Sequence, residues 1–371
     1  MNKPIGIIGG GQLGRMLALA GYRMGYKFLF LDAKPDACAG QVGELIVADY
    51  HDQRALAEMA GRCRVLTYDF ENVAVAELRN IESQIAIQPP LGALAAAQDR
   101  AREKEIFQQL GISTVPYRLV DTRADLEAAV TALGLPLVVK VRRLGYDGKG
   151  QFRVLRSEDV EAAWKALGKQ ALIAEKFIEF DRELSIIAVR GQNGDKRSYP
   201  LSVNFHDNGI LASTVAPAPQ VSDAVCKRAT QWSGALLDHF GYVGVLALEL
   251  FQVGDELLAN EFAPRVHNSG HWTMDGADTC QFENHLRAIT GLPLGSTRAQ
   301  GYTAMVNWIG KMPSPAGVLQ CDTIRWHEYG KTVRPGRKVG HLNLRANDYT
   351  SLQQQLGQFI EGLADAFSQT I

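Results

Sequence analysis

Cysteine is scarce in this 371-residue chain: Cys38, Cys63, Cys226, Cys280 and Cys321 are far apart and none forms a C-x-x-C pair. That excludes a disulfide framework, a zinc ribbon and a dithiol redox couple, and leaves five ordinary thiols. Excess charge is also missing. Lys+Arg total 39 against 40 for Asp+Glu, so no whole-molecule field draws the chain to nucleic acid or an anionic membrane, and any anion site must be local. No apolar run approaches the roughly 18 residues of a membrane span. The short apolar stretch of Met1–Gly9 meets glycine too early for a signal-peptide core, so a cytoplasmic location is the default expectation. Repeats, heptads and low-complexity tracts are absent too. What remains is a globular composition, 46% hydrophobic and 21% charged, long enough for two or three domains.

Residues 4–8 form an apolar strand followed at once by Gly9-Gly10-Gly11-Gln12-Leu13-Gly14 and a helical pattern at Met16, Leu17, Leu19 and Ala20. A second strand, 27–31, ends in Asp32. Further strands are expected near 44–48, 64–67 and 85–87, so the first hundred residues read as a Rossmann-type parallel sheet. The pattern changes at Pro89-Pro90, where a boundary is placed. Asp99 to Leu110 is a charged amphipathic helix closed by Gly111. Strands at 137–141, 151–155, 171–175, 183–190 and 199–204, with a helix at 158–167, then describe an α+β body. A helix at 222–240 leads to strands 243–252 and 256–262 around Gly254-Asp255. After a helix near 280–290, residues 291–295 read as a linker to a small C-terminal unit ending in a helix near 350–366.

The glycine turn admits two readings of equal weight. Glycines let a backbone approach phosphate at a helix N-terminus, and Asp32 sits where a ribose-binding acid would, which makes a dehydrogenase a rival; or the glycines serve only a tight turn. Lys140 stands inside the apolar strand 137–141, ahead of the glycine-rich loop Gly145-Tyr146-Asp147-Gly148-Lys149-Gly150-Gln151. A lysine beside a flexible loop suits nucleotide phosphates, although alone the pair favours an exposed lysine and a plain hairpin. Glu249 and Glu261 lie on adjacent apolar strands, and two such acids suit a magnesium–ATP site. Strand parity matters here. A strict two-residue loop pairs residue 249 with 260, whereas an odd loop or a glycine bulge pairs it with 261, and the odd loop is expected. Arg265, His267, Asn268 and His271 follow Pro264, and the arginine can present a fork to a planar anion. Lys331, Arg334, Arg337 and Lys338 put four cations into eight residues, a phosphate site, a solvated run or a nucleic-acid patch; no aromatic platform supports the last.

Together and in this order, these blocks resemble the ATP-grasp superfamily and, within it, the family of ATP- and bicarbonate-dependent carboxylases of aminoimidazole ribonucleotide in purine biosynthesis. The resemblance spans nearly the whole chain and rests on residues 9–17, 145–151, 260–271 and 334–341. It implies an α/β chain with an ATP-grasp fold: a Rossmann-like pre-ATP-grasp domain over 1–98, an ATP-grasp domain over 99–295 with a small mobile lobe at about 115–178, and a C-terminal domain over 296–371. ATP would be held by Arg100, Lys140, the loop Gly145 to Gln151, Glu175, Lys176, Phe177 and Ile178 at the adenine, Glu183 at the ribose, His206, Asn260 and Glu261. Magnesium would take Glu249 and Glu261. Arg265, His267 and Asn268 would form the bicarbonate and carboxyphosphate pocket and, with Lys140 at the ATP phosphates, would be catalytic, and Tyr146, Asp147, Lys331, Arg337 and Lys338 would meet the ribonucleotide. A homodimer is implied, with no nucleic-acid or membrane partner. In the wider superfamily an asparagine commonly follows the metal glutamate by two residues and an arginine by four. Here Ala263 replaces the asparagine, Arg265 keeps the arginine, and Asn260 is the neighbouring amide.

Overall fold

A computed structural model describes residues 3–143, 145 and 150–368. The apolar run Ile5–Ile8 lies at the centre of a parallel sheet in the order Glu44–Val47, Phe28–Asp32, Ile5–Ile8, Val65–Tyr68. Central strands buried on both faces need continuous apolar residues, and Ile5–Ile8 and Phe28–Asp32 are buried throughout. The strand expected at 85–87 reduces to a single bridge between Leu66 and Ile87, because Pro89 and Pro90 follow and have no N–H to continue a ladder.

A second, antiparallel sheet runs Tyr117–Val120, Leu172–Lys176, Leu137–Val141, Gln151–Val154. Its first strand and the helix Arg123–Leu133 were not expected from the sequence, although the reciprocal capping bonds of Thr122 and Asp125 leave a readable start signal. Lys140 projects from the strand Leu137–Val141 of this lobe.

The third sheet has nine strands, in the order Glu256–Ala263, Gly244–Val253, Arg182–Arg190, Ser202–Asp207, Ile210–Ala216, Tyr302–Ile309, Lys338–Ala346, Ile324–Glu328, with Lys196–Ser198 beside Arg182–Arg190. The strands read at 243–252 and 256–262 are its first two; the one read at 199–204 begins only at Ser202. Tyr302–Ile309 pairs with Ile210–Ala216, so the C-terminal stretch continues this sheet instead of standing apart after residues 291–295.

Strand alternation gives the sheet two faces. Leu184, Ile186, Ala188, Leu246, Leu248, Leu250 and Phe262 share a core with the helix Asp223–His239. On the opposite face Ile187, Val189, Val245, Ala247 and Ala263 pack against the helix Gln281–Ile289 and the N-terminal unit. Farther along the same strands that second face turns polar, at Ser185, Glu183, Glu249 and Glu261. The site lies at this transition.

Candidate active site

The pairing of the two acids has a different cause from the one expected. Val253 pairs with Glu256, so Gly254-Asp255 is a strict two-residue turn, which by parity would set Glu249 against Asn260. Leu250 instead pairs with Ala259 and Glu249 with Glu261. Asn260 is the extra, unpaired residue of a β-bulge, and the bulge, not an odd loop, puts the two acids on one face. Burial, then the charge of Glu261, push the Glu249 carboxyl well above the usual range. Glu261 is also desolvated, but Arg100, Lys140 and Lys104 hold it below that range. The side-chain oxygen of Asn260 is buried and without a hydrogen-bond partner. Two acids forced together beside an orphan oxygen suit a hard cation. Among the described residues no group of three His, Cys, Asp or Glu side chains is placed to hold a metal ion, so the pair of acids would be the protein's anionic contribution.

The helix Arg100–Gln109 grips the bulge from behind. Arg100 Nη1 lies 2.7 Å from Glu261 Oε2. Lys104 Nζ donates to the Asn260 carbonyl at 2.9 Å, and Phe262 N donates to Glu103 Oε1 at 2.7 Å. Burial, with Glu261 adding, pushes Glu103 up to about 8. Lys140 Nζ lies 2.5 Å from Glu175 Oε2, so Glu175, the residue expected at the adenine, is also a buried counter-charge to Lys140. Lys176 N and Phe177 N are bonded to the carbonyls of Pro116 and Pro136. Glu183 pairs with His206 Nδ1, and despite burial this contact raises His206 above its ordinary value. Gly150, with φ +73°, lies against Val141, where a Cβ would meet Cγ2 at 2.7 Å; only glycine suits it. Gln151 pairs with Lys140, and Gly145 precedes the loop. Tyr146, Asp147, Gly148 and Lys149 lie outside the described residues.

The acceptor loop is held from three directions. Arg265 Nη2 reaches Glu71 Oε1 of the N-terminal unit at 2.9 Å, its Nη1 donates to the Val266 carbonyl at 3.0 Å, and its Nε is buried without a partner. His267 Nε2 is 3.2 Å from Glu249 Oε1. Burial, then Arg265, hold His267 far below its ordinary value, so it is neutral at physiological pH. Gln281, fully buried, accepts from His267 N at 2.9 Å and donates to His267 O at 2.7 Å. Asn268 exchanges two amide bonds with Asn307, at 3.1 and 2.8 Å.

The four-cation run divides. Lys331 and Arg337 line a cavity of about 530 Å³ with Asp36, Gln41 and Thr332, and Lys331 Nζ donates to Gln12 Oε1 at 2.7 Å. Lys338 faces the other way, its charge acting on His206, His267 and His271. At the glycine turn the chain supplies its own anions. Gly10 N donates to Asp32 Oδ2 at 2.7 Å and Gly14 N to Asp69 Oδ2 at 3.0 Å. Asp32 also accepts from Lys34 N and Tyr50 Oη. A dinucleotide pyrophosphate would have to displace Asp69, and a ribose would find Asp32 engaged, so the turn lacks the free donors of a dehydrogenase site.

Residues 1–98 match the ribonucleotide synthetase preATP-grasp domain, residues 105–282 the ATP-grasp domain, and residues 303–355 the phosphoribosylaminoimidazole carboxylase C-terminal domain. The chain is 48% identical over 362 residues to the N5-carboxyaminoimidazole ribonucleotide synthase of Pseudomonas aeruginosa, covering 98% of this chain and 99% of that one. The crystal structure of the Thermus thermophilus synthetase superposes with a TM-score of 0.91 at 52% identity, covering 98% of both chains. The Aspergillus clavatus synthase, solved with ADP and 5-aminoimidazole ribonucleotide, superposes with a TM-score of 0.89 at 30% identity, covering 98% of this chain and 99% of that one. The chain belongs to the N5-carboxyaminoimidazole ribonucleotide synthase family. It is an ATP-grasp ligase, with the pre-ATP-grasp, ATP-grasp and C-terminal parts that the resemblance implied.

Within this family's architecture the sequence reading missed Glu71, Glu103, Lys104, Gln281 and Asn307, each of which holds a residue it named. It also missed Arg15, whose Nε and Nη1 are buried without partners beside the glycine turn. Asp69 gives a stability prediction. Burial, with Asp32 adding, pushes its carboxyl up to about 6, so on acidification the folded chain protonates Asp69 before the unfolded chain does. This group's contribution to stability therefore grows as pH falls from about 6 to about 4, by at most about 2–3 kcal/mol. Urea unfolding at pH 7.5 and pH 5 is expected to show wild type gaining on Asp69→Asn at the lower pH. An unchanged difference contradicts the assignment.

Proposed function

We propose that this chain carboxylates the exocyclic amine of 5-aminoimidazole ribonucleotide to 5-carboxyaminoimidazole ribonucleotide, using ATP and bicarbonate and releasing ADP and phosphate. The observation that carries the reading is the contact between His267 and Glu249. It joins a paired-carboxylate site to an arginine-bearing loop on one face of one sheet, so a phosphorylating half and an acceptor half share a boundary.

Arg100, Lys140, the 145–151 loop, Glu175 to Ile178, Glu183, His206, Asn260 and Glu261 form the ATP side. Glu249 and Glu261 would hold magnesium, which would supply positive charge to offset that of the phosphates. A bicarbonate oxygen attacks the γ-phosphorus, the bond to ADP breaks, and carboxyphosphate forms. Lys140 and Arg100 oppose the phosphate charge while Arg265 stabilises the acceptor anion. The amine then attacks the carboxyl carbon, either of carboxyphosphate or of carbon dioxide released from it in the closed site. The carbon–oxygen bond to phosphorus breaks, the former bicarbonate oxygen leaves on phosphate, and the amine loses a proton. His267, with Nε2 3.2 Å from Glu249 Oε1, ties the two halves together, and Asn268 is fixed by Asn307. Lys331 and Arg337, which line one cavity, suit the ribonucleotide phosphate. Tyr146, Asp147 and Lys338 complete that substrate's surroundings.

The division into 1–98, 99–295 and 296–371, a cytoplasmic location and a homodimer belong to the same proposal. No helix among the described residues is long and apolar enough to cross a membrane. The test is phosphate release from ATP. It is expected only when bicarbonate and 5-aminoimidazole ribonucleotide are both present, and equal release with either omitted contradicts the reading.

A further inference from the structure

Glu175 is a buried carboxylate with two cations, and they come from different parts of the fold. Lys140 Nζ, 2.5 Å from Oε2, is carried by the small lobe that also carries Glu175. Lys104 Nζ, 3.0 Å from Oε1, comes from the helix Arg100–Gln109, is fully buried, and also donates to the carbonyl of the bulge residue Asn260 at 2.9 Å. One ammonium group thus links the lobe to the strand that bears Glu261.

A nucleotide phosphate would compete with Glu175 for the Lys140 ammonium group. When it turns to phosphate, Glu175 loses its shorter ion pair while remaining buried, and stripping a buried charge of its only partner costs several kcal/mol. A second ammonium group that stays in place removes most of that cost. Burial alone would raise the Glu175 carboxyl, yet Lys140 and Lys104 together hold it far below the usual range, consistent with a group that remains ionised with one of them absent.

We propose that Lys104 is a positioning residue for ATP: it keeps Glu175 ionised and in place so that Lys140 is free to turn to the nucleotide phosphate. The proposal rests on the ATP reading above. Lys104 is fully buried between Glu175 and the Asn260 carbonyl.

The experiment is calorimetric titration of magnesium–ADP into wild type, Lys104→Met, Glu175→Gln and the double variant. Lys104→Met is expected to weaken ADP about tenfold in the wild-type background and less than about twofold in the Glu175→Gln background, because a neutral amide needs no second cation. Lys104→Arg, which keeps the charge, is expected to stay within about threefold of wild type. Equal losses in both backgrounds identify a packing role and overturn the proposal, as does unimpaired binding by Lys104→Met. Should that variant not fold, the double variant holds no buried carboxylate that lacks a cation and must bind ADP as tightly as Glu175→Gln alone; a tenfold deficit overturns the proposal. If wild type itself fails to bind magnesium–ADP, the ATP reading falls, and this inference with it.

Discussion

Arg265→Ala is expected to lower turnover about a thousandfold while leaving ADP affinity within about threefold of wild type. The guanidinium is positioned from two sides, by Glu71 at 2.9 Å and the Val266 carbonyl at 3.0 Å, and its Nε is buried with no partner. A buried donor left open beside a neutral histidine is set to meet an anion that arrives during the reaction. Since Arg265 contacts none of the groups on the nucleotide side among the described residues, its loss falls on the step that stabilises the acceptor, and kcat drops with little change in ATP binding. Arg265→Lys is expected to recover only a small part, because an ammonium group cannot span Glu71 and a planar anion together. Steady-state phosphate release together with calorimetry of ADP binding checks both statements. A variant whose loss lies entirely in KM for ATP contradicts the assignment of Arg265 to the acceptor half.

The second large effect concerns the paired acids. Glu249→Gln is expected to reduce turnover at least about a hundredfold and raise the apparent magnesium requirement, since a hard cation loses one of two anionic ligands. The same substitution is expected to raise the melting temperature of the ligand-free protein by about 1–3 °C. The sign follows from the raised Glu249 carboxyl. Holding that group ionised in the folded chain opposes stability above its folded pKa, and a neutral amide removes the penalty while its NH2 or carbonyl can still meet His267. Below that pKa the wild-type group is already protonated, so the gain is expected to shrink as pH falls. Gaining stability while losing activity separates a functional acid pair from a structural one. A fall in both at pH 8 would show that Glu249 holds the fold.

The central features were legible in the sequence because they are local. Glu249 and Glu261 interrupt apolar alternation, Lys140 stands inside an apolar strand, and Arg265 to Asn268 follow a strand-ending proline. The reason the two acids meet was not legible. Gly254-Asp255 is the tight turn it looks like, and the pairing is corrected by a bulge at Asn260 that no glycine announces. Glu71, Lys104, Gln281 and Asn307 were invisible for another reason. Their partners are remote in the chain, Lys104 meeting Asn260 from 156 positions away, and hydrophobic periodicity carries no information about which distant polar groups will face each other. The glycine turn was legible as geometry and ambiguous as chemistry, since only the folded chain reveals that Asp69 and Asp32 occupy its amide donors. The join between the central sheet and the C-terminal strands was hidden by a Gly-Pro-rich stretch at 291–295 that looks like a linker and is followed by a strand in the same sheet.

Transfer of oxygen from bicarbonate to phosphate tests most directly whether the acid pair and the arginine loop meet in one reaction. With bicarbonate fully labelled with oxygen-18, and with ATP and 5-aminoimidazole ribonucleotide present, each phosphate released is predicted to carry one labelled oxygen, because the bond to phosphorus is made by bicarbonate and broken at carbon. Phosphate released at the full rate without label would contradict the account, since bicarbonate would then not be the group that ATP phosphorylates.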